Sequence, residues 1–179
     1  MVNFVALDLE TATSVKSSIC QIGITEVIDG KVQPSKSWWV KPKGNIYDGY
    51  NIAIHGITPK DTKNSPSFPE VWKEVKPFLE GKTVVAHNTS FDMYALRDAF
   101  DEYGIDYPTF DYFCTLRIAK HLIKGCYSYS LDVFLASNPQ LIGQRAFFAC
   151  KARNNHLVAH VLVQQKRLRH KSPLPHKAT

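Results

Sequence analysis

The sequence predicts an α/β fold built on a mixed five-stranded sheet flanked by helices, and three observations predict it. An apolar run, Phe4-Val-Ala-Leu, leads straight into Asp8, as in a buried central strand. Two strand-like segments, Ile19 to Ile28 and Lys31 to Val40, follow it and flank the turn dipeptide Asp29-Gly30. After residue 80, strand and helix patterns alternate, which places helices over a sheet.

The elements follow in order. Lys41 to Asp61 is dense in Pro, Gly, Asn and Asp and reads as a long surface loop. Ser67 caps a helix from about Phe68 to Leu79, with Glu70 in its first turn and Gly81 after its end. Thr83-Val-Val-Ala is a strand. Ser90 to Tyr103 has helical spacing, with Phe91, Tyr94, Ala95, Ala99 and Phe100 able to share a face, and Gly104 stops it. Tyr107 to Phe113 reads as the fifth strand. Helices are expected near Thr115–Ile123, Ser130–Ala136 and Arg145–Lys166. Residues 1–166 therefore form one domain, and 167–179, with two prolines and no periodicity, a basic disordered tail.

At 179 residues the chain is long enough for one well-buried core. No stretch approaches the 18 or so consecutive apolar residues of a membrane span, so no membrane partner is expected. The first residues read as a strand beginning at once and not as a signal peptide. Cys20, Cys114, Cys126 and Cys150 form no Cys-x-x-Cys pair, which argues against zinc and a disulfide framework and for a reduced, cytoplasmic protein. The net charge of +6 is unevenly spread. From Val133 onward there are eight Lys or Arg and no acid, whereas the preceding residues carry 14 basic and 16 acidic side chains. A basic end suits a polyanionic partner; a merely solvated basic tail is the plainer reading.

Chemistry concentrates in two places. Asp8 and Glu10 stand two apart on a strand, so their carboxylates share one face while Leu7 and Leu9 take the other. Adjacent acids at the end of a buried strand need a compensating cation, and a hard divalent metal bound through oxygen supplies it. The second constellation is His87-Asn88-Thr89-Ser90-Phe91-Asp92, where a strand gives way to a helix. An acid in a first helical turn is also favoured by the helix dipole alone.

Phe4-Val-Ala-Leu-Asp8-Leu-Glu10-Thr-Ala resembles the first motif of the DnaQ-like DEDD 3′–5′ exonucleases, which include the proofreading subunit of bacterial DNA polymerase III. His87-Asn88-x-x-Phe91-Asp92 resembles their second motif, and Ile54-His55-Gly56-Ile57-Thr58 their His-Gly-Ile-Thr segment. The resemblance implies a ribonuclease H-like fold and a nuclease acting on single-stranded DNA or RNA 3′ ends, with a DNA polymerase among the conceivable partners. It implies Mg²⁺ or Mn²⁺ at a two-metal site held by Asp8, Glu10 and Asp92, releasing nucleoside 5′-monophosphates. It further implies that Thr11, Ile54, His55, Asn88 and Phe91 contact the terminal nucleotides. For His55 a role confined to turn hydrogen bonds stays open, as does core packing for Phe91.

The family's third motif, His-x-x-x-x-Asp, is absent. Gln144-Arg-Ala-Phe-Phe-Ala149 resembles it closely enough to set the register, which puts Gln144 at the general-base position and Ala149 at that of the fourth acid. Gln cannot carry a proton near neutral pH, and general-base help is commonly worth about 10²–10⁴-fold. His156 and His160 would lie roughly 18 and 24 Å further along an ideal helix. Tyr127 and Asp132 hold the five-residue step with Tyr in place of His, though that segment also matches the preceding helix start. The implied activity is therefore impaired or absent, and a non-catalytic module that grips 3′ ends is the alternative.

Overall fold

The computed structural model describes residues 3–131, 133, 148–153 and 156–161. β1 (Phe4–Thr11) and β2 (Ile19–Ile28) are antiparallel, running from Phe4 opposite Val27 to Glu10 opposite Gln21, with an irregularity between Glu10 and Thr11. β3 (Lys31–Val32) and β4 (Lys36–Trp39) both pair antiparallel with β2. β5 (Thr83–Ala86) lies parallel to β1 on its other side, and β6 (Asp111–Cys114) parallel to β5. The order is β3-β2-β1-β5-β6, with β4 also on β2. The mixed sheet is as expected, but the predicted third strand is two. Pro34, which has no N–H for a ladder, sits between them, while Gln33 N–H still reaches Glu26 O at 2.9 Å.

The long loop predicted over Lys41 to Asp61 is corrected. It holds a 3₁₀ turn (Lys43–Asn45), α1 (Gly49–His55) and α2 (Pro59–Thr62). Asp48 caps α1 by accepting from Asn51 N–H at 2.7 Å, and Gly56 ends it with φ 78°. Thr58 and Asp61 form a capping box around Pro59. Short helices built on caps carry too few apolar residues to show periodicity.

α3 (Phe68–Leu79) starts at Ser67 in a capping box with Glu70. α4 (Ser90–Tyr103) and α5 (Thr115–Leu122) also fall close to their predicted ranges. The fifth strand starts four residues later than expected, after Pro108. On α4 the buried face is Asp92, Ala95, Leu96, Ala99 and Phe100; Tyr94 is half exposed and lies off it.

The main core lies between one sheet face and α3 and α4. Val5, Leu7 and Leu9 of β1 meet Phe68, Val71, Trp72, Leu96 and Phe100 there. Phe68 packs against Trp72, Phe100 and Tyr103 with ring centroids 5.7–6.0 Å apart. The alternate β1 residues Phe4 and Ala6 join a small cluster with Val27 and Val85 on the opposite face. That alternation carries Asp8 and Glu10 away from the main core.

The helix predicted over Arg145–Lys166 is also corrected, because two antiparallel strands fall inside it. β7 (Phe148–Arg153) pairs with β8 (His156–Val161), and β7 runs closest to β1, β2 and β5 of the main sheet. Arg153 opposite His156 is the innermost pair of that ladder. Ala149 is opposite His160 in the same ladder. Leu131 and Val133 are helical as predicted. The rest of that predicted helix, Gln144 and the tail 167–179 lie outside the described residues.

Candidate active site

The site forms where β1 ends beside the first turn of α4. Asp8 and Glu10 are partly exposed on β1. Asp92 is 3% exposed, and its Oδ1 accepts Leu9 N–H at 3.1 Å. One hydrogen bond thus joins the second acidic motif to the residue between the two acids of the first. Burial pushes the Asp92 carboxyl well above its ordinary range, and the charges of Asp8 and then Glu10 push the same way, against the opposing backbone N–H bonds. Three carboxylates therefore sense one another at one point.

That donor set, all hard oxygen, fits a divalent cation in its chemistry. Its geometry is not assembled as a closed cage: among the described residues, no group of three or more His, Cys, Asp or Glu stands ready to hold a metal ion.

The turn after β5 is fixed from several sides. Thr89 Oγ1 lies 2.8 Å from Ala86 O and 3.0 Å from Phe113 O, tying the ends of the parallel strands together. His87 places Nδ1 3.1 Å from Thr115 Oγ1 and Nε2 3.0 Å from Tyr129 O. Asn88 is exposed with φ 63°, a conformation Asn tolerates, and its carbonyl accepts Phe91 N–H at 2.9 Å. Phe91 is half-buried, and the ammonium of Lys16 lies 4.2 Å from its ring centroid.

His55 is 4% exposed with both ring nitrogens on backbone groups. Ile57 N–H donates to Nδ1 at 2.9 Å, so Nε2 carries the proton and donates to Thr11 O at 3.1 Å. The turn-bonding role is thus present, and Ile54, 55% exposed, is the neighbour that faces outward. Thr11 is buried, and its carbonyl also accepts Asn51 Nδ2 at 2.6 Å.

Asn51, Asp48 and Lys16 were not singled out in the sequence. Asn51 Nδ2 also lies 3.2 Å from Thr13 O, and Asp48 Oδ2 accepts Ser14 N–H at 3.2 Å, so α1 clamps the loop that follows β1. The signal that could have found them was the Asp48-x-x-Asn51 cap. Gln144 is outside the described residues, and Ala149 stands in β7.

The chain matches a family model described as RNase_T, exonuclease, over residues 5–141. The PolC-type DNA polymerase III of Mycoplasmopsis pulmonis (strain UAB CTIP) is 25% identical over 130 residues, covering 72% of this chain and 9% of that protein. The DNA polymerase III epsilon subunit of Escherichia coli (strain K12) is 26% identical over 122 residues, covering 66% of this chain and 50% of that one. The chain thus spans half or less of the length of these relatives. A solved structure of exonuclease X in complex with 5′ overhanging duplex DNA aligns with a TM-score of 0.62 at 26% identity, covering 76% of this chain and 73% of that one. The fold is ribonuclease H-like. Among the described residues no helix is long and apolar enough to cross a membrane.

Proposed function

The chain belongs to the RNase_T exonuclease family, and from that premise we propose that it engages the 3′ ends of single-stranded DNA or RNA on a 3′–5′ exonuclease site whose hydrolytic step is impaired. The observation that carries this reading is the Leu9–Asp92 hydrogen bond, since it joins both acidic motifs at one point. Asp8, Glu10 and Asp92 would hold Mg²⁺ or Mn²⁺. When bound, the cation would neutralise the phosphodiester and lower the pKa of an attacking water. The chain's own residues bind and orient. The Thr11–His55–Asn51 bonds fix the floor beside Glu10, and Phe91 offers an aromatic surface to a terminal base. The sequence register that puts Gln144 and Ala149 at the third-motif positions leaves the water no base of suitable pKa there, so on this reading hydrolysis should be slower by about 10²–10⁴-fold.

That same pair of residues favours a second reading, a cytoplasmic module that grips 3′ ends without cutting. The polymerase relatives suggest a DNA polymerase as its partner in either case.

The test is shortening of a 5′-labelled single strand in Mg²⁺ or Mn²⁺, with strand binding measured alongside. The parent should bind and cut slowly or not at all, and Asp8→Ala should abolish what cutting there is. A Gln144→His/Ala149→Asp chain should cut faster. Cutting that survives Asp8→Ala, or a parent that neither binds nor cuts, would overturn the proposal.

A further inference from the structure

The loop between β1 and β2 is unusually well tied for a surface connection. Ala12 N–H donates to Ser18 O at 2.8 Å and Ser18 N–H to Val15 O at 3.1 Å. Ser18 Oγ accepts Thr13 N–H at 3.0 Å, and Val15 N–H reaches Thr13 Oγ1 at 3.2 Å. From outside, Asp48 and Asn51 hold Ser14 and Thr13, and Glu102 of α4 takes a hydrogen bond from Ser17. Such a loop presents its side chains from a fixed base.

The side chain it aims at the site is Lys16. Its ammonium rests on Phe91, the residue just before Asp92, well within the roughly 6 Å at which a cation is held by a ring. Two consequences follow. The ring face under Lys16 is closed to a nucleobase until the ammonium moves. And a positive charge rests on the ring of the residue that directly precedes Asp92, a carboxylate that would by itself repel a phosphodiester.

The geometry points to Lys16 as a strand-positioning residue, an assignment that rests on the nucleic-acid reading above. In the free chain the ammonium is parked on Phe91. A 3′-terminal base that stacks on Phe91 displaces it, and the released ammonium pairs with a phosphate of the same strand. Lys16 exchanges one partner for another and transfers no proton.

The test uses the full chain, a 5′-fluorescein-labelled oligothymidylate and Ca²⁺ to limit cutting, with affinity measured across a salt series. Lys16→Met keeps the apolar stem and removes the charge. It should weaken binding about tenfold, on the scale of a charged hydrogen bond. It should also lower the slope of log affinity against log salt by about 0.7, one single-strand phosphate contact. Lys16→Arg should keep the slope. An unchanged slope in Lys16→Met overturns the assignment, even with weaker binding, because a residue that only props Phe91 alters affinity and not counterion release. A parent that binds no strand at any salt overturns the nucleic-acid reading itself, and this assignment with it.

Discussion

Asp92 accepts the backbone N–H of Leu9 across 83 positions of sequence, and it does so from a 3% exposed position beside two further acids. This single carboxylate is both a structural acceptor and a source of charge repulsion. The two roles separate by mutation. Asp92→Ala leaves a buried N–H without its partner and should destabilise the metal-free chain by about 1–3 kcal/mol. Asp92→Asn keeps an acceptor and removes a charge, so it should melt at or above the parent in chelator. Adding Mg²⁺ or Mn²⁺ should raise the melting temperature of the parent and not of Asp92→Asn. A parent indifferent to both metals would sink the claim that the carboxylates form a cation site.

Acidity should act on the site in two directions. Burial holds His55 below its ordinary 6.5, so between its folded value and 6.5 the unfolded chain binds the extra proton. His55 thus favours folding fully above about pH 6.5, and this contribution is lost as pH falls toward the folded value. The Asp92 carboxyl is raised, so its contribution in metal-free protein is present below about 3.8 and is lost as pH climbs through its folded value. Denaturation midpoints measured from pH 4 to 8 should lose the first component in His55→Asn and the second in Asp92→Asn. Identical profiles for parent and His55→Asn would show that His55 is not titrating.

Asn51 should matter to the loop after β1 more than its surface position suggests. Asn51→Ala removes contacts to Thr11 O, Thr11 Oγ1 and Thr13 O. A loss of about 1–3 kcal/mol is expected, with faster hydrogen exchange confined to residues 11–18. Exchange that quickens uniformly instead would mean global destabilisation alone.

Phe68 is the ring on which α3 and α4 meet, fully buried against Trp72, Phe100 and Tyr103. Phe68→Ala should cost about 3–5 kcal/mol, and Phe68→Leu clearly less. Similar melting temperatures for the two would argue against tight packing at this point.

Strands and helices whose burial pattern repeats over a full element were legible in the sequence. β1, β2 and β5 are buried along nearly their whole length because both faces of the sheet are covered there, and α3 and α4 show helical spacing because each packs along one face. α1 and α2 escaped notice because caps and glycine stop signals define them. The third strand was overrun because Pro34 splits a pattern that otherwise alternates well. Over 145–166 the sequence was read as a single helix, while Asn154-Asn155 between two β-prone runs is a turn signal that this reading passed over. At the site, the acids were visible because charge on an apolar strand is rare. Asn51 and Lys16 were not, because their roles depend on contacts far apart in sequence.

The sheet order sets a timetable for assembly. β1 meets β2 across a short loop, but its parallel partner β5 begins only at Thr83, after α1, α2 and α3 have been laid down. Contacts between distant segments are slow to form because a long loop must close first. Asp92 therefore reaches Leu9 late on the folding path, and pulse-labelled hydrogen exchange should find the Leu9 amide protected after the β1–β2 amides. A partly folded chain would already carry Asp8 and Glu10 together, yet would lack the carboxylate that completes the trio.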